Sequence, residues 1–101
     1  LTSEIAIRKL ELGDVASCES VLRSLPDWFG IEQSVQDYVE SLKTLPGFVA
    51  IVDGDVVGFI ATKQHTPDAA ELYVMAVRRE LHRTGIGRRL VEAAETQLRG
   101  Q

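Results

Sequence analysis

The sequence is short of the residues that build stapled, metal-bound or membrane-embedded folds. It has one cysteine, Cys18, so no disulfide can form within the chain, and a reducing compartment, the cytoplasm, is expected. Beside that cysteine there are only two histidines, His65 and His82, none at ligand spacing, and no metal site is expected. The longest apolar run is Leu72–Val77, against the roughly 20 residues a membrane span needs, so no membrane insertion is expected. No basic stretch followed by an apolar core opens the chain, as a secretory signal would. Basic residues are the scarcer charge, 11 against 15 acidic ones. An acidic surface repels a phosphate backbone, and no nucleic-acid partner is expected.

What is present is an ordinary globular mix, 45% apolar and 26% charged over 101 residues. The charge is unevenly spread. Residues 1–77 carry 5 basic and 12 acidic groups, whereas residues 78–101 carry 6 arginines against 3 glutamates. Five of the arginines fall between Arg78 and Arg89. An acidic body with one arginine-rich stretch suggests a local pocket for a small anion; a solvated charged face is the simpler alternative.

The pattern along the chain reads β-α-α-β-β-β-α, an α/β fold with a mixed sheet, in a single domain. Residues 4–10 read as a strand, with Ile5 and Ile7 on one face. Asp14 is the expected N-cap of a helix whose stripe is Val15, Cys18, Leu22 and Leu25, stopped by Pro26. Ile31, Val35, Tyr38, Leu42 and Leu45 form the stripe of a second helix, stopped by Pro46-Gly47. Residues 48–52 and 56–62 flank Asp53-Gly54-Asp55, a hairpin signal. Residues 64–68 read as a loop, and His65 there belongs to no constellation. Residues 70–77 are apolar on both faces, with Leu72, Val74 and Ala76 on one and Tyr73, Met75 and Val77 on the other. Such a strand is expected inside a sheet covered on both sides. Ile86, Leu90, Ala94 and Leu98 mark a last helix over 86–99 with Gly100 as its cap, and Cys18 is expected in the core.

The chemistry concentrates where that buried strand runs into Arg83-Thr84-Gly85-Ile86-Gly87-Arg88. Unpaired amides at a helix start bind phosphate, glycine lets the backbone come close, and Arg83 and Arg88 add charge. A dinucleotide fingerprint would need a third glycine where Leu90 stands, and no Gly-Lys-Ser/Thr tripeptide forms a Walker loop. Taken alone, the bare Gly-x-Gly favours a simple helix-start turn with no ligand.

Strand, loop, His82-Arg83-Thr84-Gly85-Ile86-Gly87 and amphipathic helix together resemble motif A of the GNAT superfamily of N-acetyltransferases, and the order of the preceding elements is similar too. The resemblance implies an enzyme that uses acetyl-CoA, with the pyrophosphate on the amides of residues 83–88 and the pantetheine arm along Met75, Ala76 and Val77. His82 stands where the family usually has Gln or Arg; since that loop's contacts are mostly main-chain, the change is expected to be tolerated. The resemblance also makes Glu71, at the start of the strand, the candidate base for the acceptor amine. An ammonium has no lone pair, so the reaction needs such a base; a solvated glutamate is the plain alternative. A strand N–H, that of Val77 or a neighbour, is the expected oxyanion donor. Trp28 and Phe29 would line the acceptor site by the same resemblance, whereas residue type alone favours packing of their loop onto the core.

The family's fold continues beyond a third helix, and residues 72–77 read as a central strand with only one neighbour in the chain. The expectation is a domain incomplete at its C-terminus after that helix, or one completed by another copy as a homodimer or strand-swapped assembly. The expected function is acetyl transfer from acetyl-CoA to an amine by direct attack. The alternatives are a non-catalytic CoA-binding or assembly module and an inactive fragment.

Overall fold

The computed structural model describes residues 4–100. The elements are β1 (Ile5–Lys9), α1 (Val15–Arg23), α2 (Glu32–Leu42), β2 (Gly47–Val52), β3 (Asp55–Thr66), β4 (Ala69–Val77) and α3 (Ile86–Arg99). Single 3-10 turns precede α1, at Leu12–Asp14, and α3, at Arg79–Leu81. This is the α/β order read from the sequence. The strands form an antiparallel sheet in the order β1-β2-β3-β4.

Alternation along the strands divides the core. Val49, Phe59, Ala61, Val74 and Ala76 face α1 and α2, where they meet Cys18, Leu22, Val35 and Leu42. Ala50, Ile60 and Val77 face α3 and meet Ile86, Leu90 and Ala94. The sheet is therefore covered on both faces by helices. Asp53 and Gly54 turn β2 into β3 with φ of 52° and 84°, the pair of positive angles a two-residue turn of the right twist needs. No helix among the described residues is long and apolar enough to cross a membrane.

Four local features depart from the sequence reading. Asp14 does not cap α1 with its side chain. Its carboxylate instead accepts the Glu11 N–H at 2.8 Å and both guanidinium nitrogens of Arg8, each at 2.8 Å. Helix α1 stops at Arg23, ahead of Pro26, because the chain turns sharply: the Trp28 and Phe29 amides both donate to the Leu25 carbonyl. Ile31 lies outside α2 and is exposed rather than on its buried stripe. Residues 64–66 are strand, not loop, paired with the start of β4 as a ribbon whose residues 63–72 are all exposed. A ribbon without a covering layer needs no apolar alternation, which is why its sequence looks like loop.

A fifth departure is in β4. Ala61 pairs with Val74 and Thr62 with Leu72, leaving Tyr73 as an extra, bulged residue. The bulge turns Tyr73 to the same face as Val74, against Tyr38, and Leu72 is left exposed. The strand is the edge of the described sheet rather than an inner one.

Candidate functional site

The open edge of β4 carries the site. The Arg78 N–H donates to the Val57 carbonyl, so the two-residue repeat turns Ala76 toward β3 and directs the amides and carbonyls of Met75 and Val77 outward. The Val77 carbonyl is then capped by His82, whose Nε2 donates to it at 2.7 Å. The Val77 N–H and both backbone groups of Met75 remain on a strand edge that no described strand covers.

At the end of that edge lies a row of free donors. The first helical bond of α3 runs from the Arg89 N–H to Gly85 at 3.1 Å, and the amides of Arg83 to Arg88 have no backbone acceptor among the described residues. Two left-handed residues, Arg83 at φ 68° and Gly85 at φ 88°, bend the chain into this arrangement. Consecutive amides in such a turn, with the positive end of a helix behind them, form an anion-binding concavity.

The arginines divide by use. Arg78 donates to the Ser20 hydroxyl at 2.9 Å, Arg89 to the Ile5 carbonyl at 3.0 Å, and Arg79 to Asp27 at 2.8 Å. Arg83 and Arg88 have no partner among the described residues. The Ile86 side chain is buried in the core, so only its amide is available. The Thr84 hydroxyl is tied to the Leu81 carbonyl.

Between edge and loop is a cavity of about 380 Å³, mostly apolar, lined by Trp28, Phe29, Met75, Ala76, Val77, His82, Arg83 and Gly87 together with Leu25 and Leu81. The connector residues Trp28 and Phe29 are thus brought together with Met75, Ala76, Val77, His82, Arg83 and Gly87, whereas Thr84, Gly85, Ile86 and Arg88 do not line the cavity. Phe29 is half-buried against the core and Tyr38, whereas Trp28 is exposed. Trp28 is held by Arg79, which lies over its ring 5.5 Å from the centroid, and by an edge-to-face contact with His82, the centroids 5.8 Å apart. Arg79 and Asp27 therefore strap the connector to the loop, a role composition could not reveal.

Glu71 lies outside the cavity, on the exposed ribbon four residues before Met75. Its Oε1 is 2.6 Å from His65 Nε2, and both side chains are about half exposed. The sequence reading missed His65 because residues 64–66 were not read as strand. Once they are, Glu71 pairs with Lys63, and His65, left over by the register shift between Gln64 and Thr66, lies close enough on the same hairpin for its side chain to reach the carboxylate.

The fit to a CoA-like ligand rests on the donor set: free amides and two unpaired arginines for a pyrophosphate, an open strand edge for an amide-bearing arm, and an apolar cavity beside both. Comparison with known proteins agrees. An uncharacterised N-acetyltransferase of Chlorobaculum tepidum is 30% identical over 97 residues, 95% of this chain. The chain spans 61% of that relative's length. The structure of a GNAT family acetyltransferase from Brucella melitensis in complex with acetyl-CoA superposes with a TM-score of 0.78 at 26% identity, covering 96% of this chain and 70% of that one. The PaiA N-acetyltransferase of Thermoplasma acidophilum in complex with coenzyme A has the same fold, with a TM-score of 0.76 at 23% identity, over 96% and 73% of the two chains. The family's sequence model matches residues 17–101, a span that takes in every residue lining the cavity, and the chain belongs to the acetyltransferase (GNAT) family.

Proposed function

We propose that the protein binds acetyl-CoA at the loop of residues 83–88 and the edge of β4, and transfers the acetyl group to an amine. The observation that carries this reading is the run of partnerless amides from Arg83 to Arg88 at the mouth of an apolar cavity. Arg83 and Arg88 supply charge to the pyrophosphate, and the Met75 and Val77 backbone pairs with the pantetheine arm as a further strand would. Glu71 is the base, and Trp28 and Phe29 form the acceptor wall. The same free edge is where a second copy of the chain would pair, and the single cysteine suits a reducing compartment.

Calorimetry with CoA tests the binding half, and thiol release from acetyl-CoA in the presence of an amine panel tests the transfer half. Glu71→Gln is expected to lower kcat by about 10²-fold with the CoA affinity unchanged. Saturable CoA binding with no thiol release for any amine would leave a binding module in place of an enzyme. No CoA binding at all would overturn the reading.

A further inference from the structure

The exposed ribbon already holds a primary amine beside the proposed base. Lys63 of β3 pairs in register with Glu71 of β4. Its Nζ does not bond the carboxylate, which is engaged by His65; it lies over the ring of Tyr73, 5.2 Å from the centroid. Tyr73 is the bulged residue of β4 and makes an edge-to-face contact with Tyr38, the two rings 5.6 Å apart at 70°. Met75, at the end of the cavity, is two residues further along the strand, about 7 Å at the usual rise. An arm laid along the outer edge from Val77 through Met75 brings its far end to the bulge.

We infer that Lys63 is an acetyl acceptor in the protein's own chain. This rests on the reading above, in which acetyl-CoA lies along β4 and Glu71 acts as base. The Lys63 ammonium gives one proton to Glu71. The freed lone pair on Nζ attacks the thioester carbonyl carbon, an N–C bond forms and the C–S bond breaks. CoA departs as the thiolate and takes the second proton from the nitrogen. The products are an acetamide on Lys63, CoA thiol and the proton on Glu71, which passes to solvent. The modified side chain has no charge, so it loses its hold on the Tyr73 face and opens that ring to another occupant.

The chain contains its own controls. Its other lysines are Lys9, on β1 at the opposite edge of the sheet, and Lys43, paired with Glu40 at 2.9 Å. The full chain is incubated with acetyl-CoA and acetylation of the three lysines is followed by peptide mass spectrometry. Lys63 is expected to be labelled at least about tenfold faster than Lys9 or Lys43, the advantage of a positioned nucleophile. The rate per molecule is expected to be independent of protein concentration, and excess CoA or Glu71→Gln is expected to bring Lys63 down to the rate of the other two. Equal labelling of all three, a Lys63 lead that survives Glu71→Gln, or a rate that rises with protein concentration would overturn the inference. Calorimetry on the same sample separates its failure from that of the underlying reading. CoA binding without a Lys63 lead defeats this inference alone, and absence of CoA binding defeats both.

Discussion

At the scale of single residues, the most consequential polar group outside the site is Asp14. It is 7% exposed, and its carboxylate joins β1 to the start of α1 through Arg8 and the Glu11 amide. The Arg8 hydrogen bond, helped by the Glu11 N–H, holds its pKa below the usual carboxylate range against the opposing cost of burial. Removing the carboxylate leaves Arg8 without its partner at the edge of the core. Because Arg8 is half exposed, Asp14→Ala is expected to cost about 2 kcal/mol rather than the larger figure of a fully buried pair. The native pKa is the lower of the two states, so the stabilisation is complete above about pH 4 and is lost as pH falls through the native value. Urea titrations of wild type and Asp14→Ala at pH 7 and below pH 4 should therefore converge on acidification. A gap that stays constant would mean the carboxylate's charge is not what matters.

At the scale of elements, the start of α3 places two glycines two positions apart under different demands. Gly85 has φ of 88°, so Gly85→Ala is expected to cost about 1–2 kcal/mol from backbone strain, with no clash to relieve it. Gly87 is inside the helix and lines the cavity, and a Cβ there would meet only the Met75 Cε, at an ordinary 3.8 Å. Gly87→Ala is expected to raise stability by up to about 0.5–1 kcal/mol while weakening CoA binding about tenfold, because at the proposed site the added methyl would stand in the phosphate's approach to the amide. Thermal melts and calorimetry on the two variants check this, and Gly87→Ala binding CoA like wild type would remove that amide from the phosphate site. This element was legible in advance: Ile86, Leu90 and Ala94 announce the helix by their spacing, and Gly85-Ile86-Gly87 the turn that starts it. Strand β4 was less legible. Its face alternation fails at Tyr73 because a bulge depends on how the partner strand is laid against it, which Leu72–Val77 does not encode by itself. The same holds for His65 and Glu71, whose meeting depends on a strand extension written entirely in polar residues. Local pattern fixes which elements form; the pairing between them decides which side chains meet at the site.

At the scale of the whole molecule, Cys18 reports whether the two helical layers and the sheet open together. It is fully buried on α1 between the sheet and α2. Burial, with a smaller contribution from the nearby Asp14 charge, pushes its thiol pKa up to about 12. In the unfolded chain the thiol ionises from about pH 8.5, so the folded state holds the extra proton there and stability declines as pH rises from that point toward 12. At pH 8 the native thiol is neither ionised nor reachable, and a thiol reagent can react only through an opened state. The opening that matters can be identified with CoA, because the cavity is shared by the α1–α2 connector, β4 and the start of α3. If exposing Cys18 requires the site to come apart, ligand must be released first, and CoA at 100 times its Kd should slow labelling by about 100-fold. If α1 instead detaches from an otherwise intact sheet while the site survives, labelling should be fast and indifferent to CoA. The contacts favour the first outcome, since the strap of Arg79, Asp27 and Trp28 ties the connector that follows α1 directly to the segment between β4 and α3. Cutting that strap with Asp27→Ala should then speed labelling in the CoA-bound protein more than in the free one, and an equal effect on both would show that the helical layer and the site open independently.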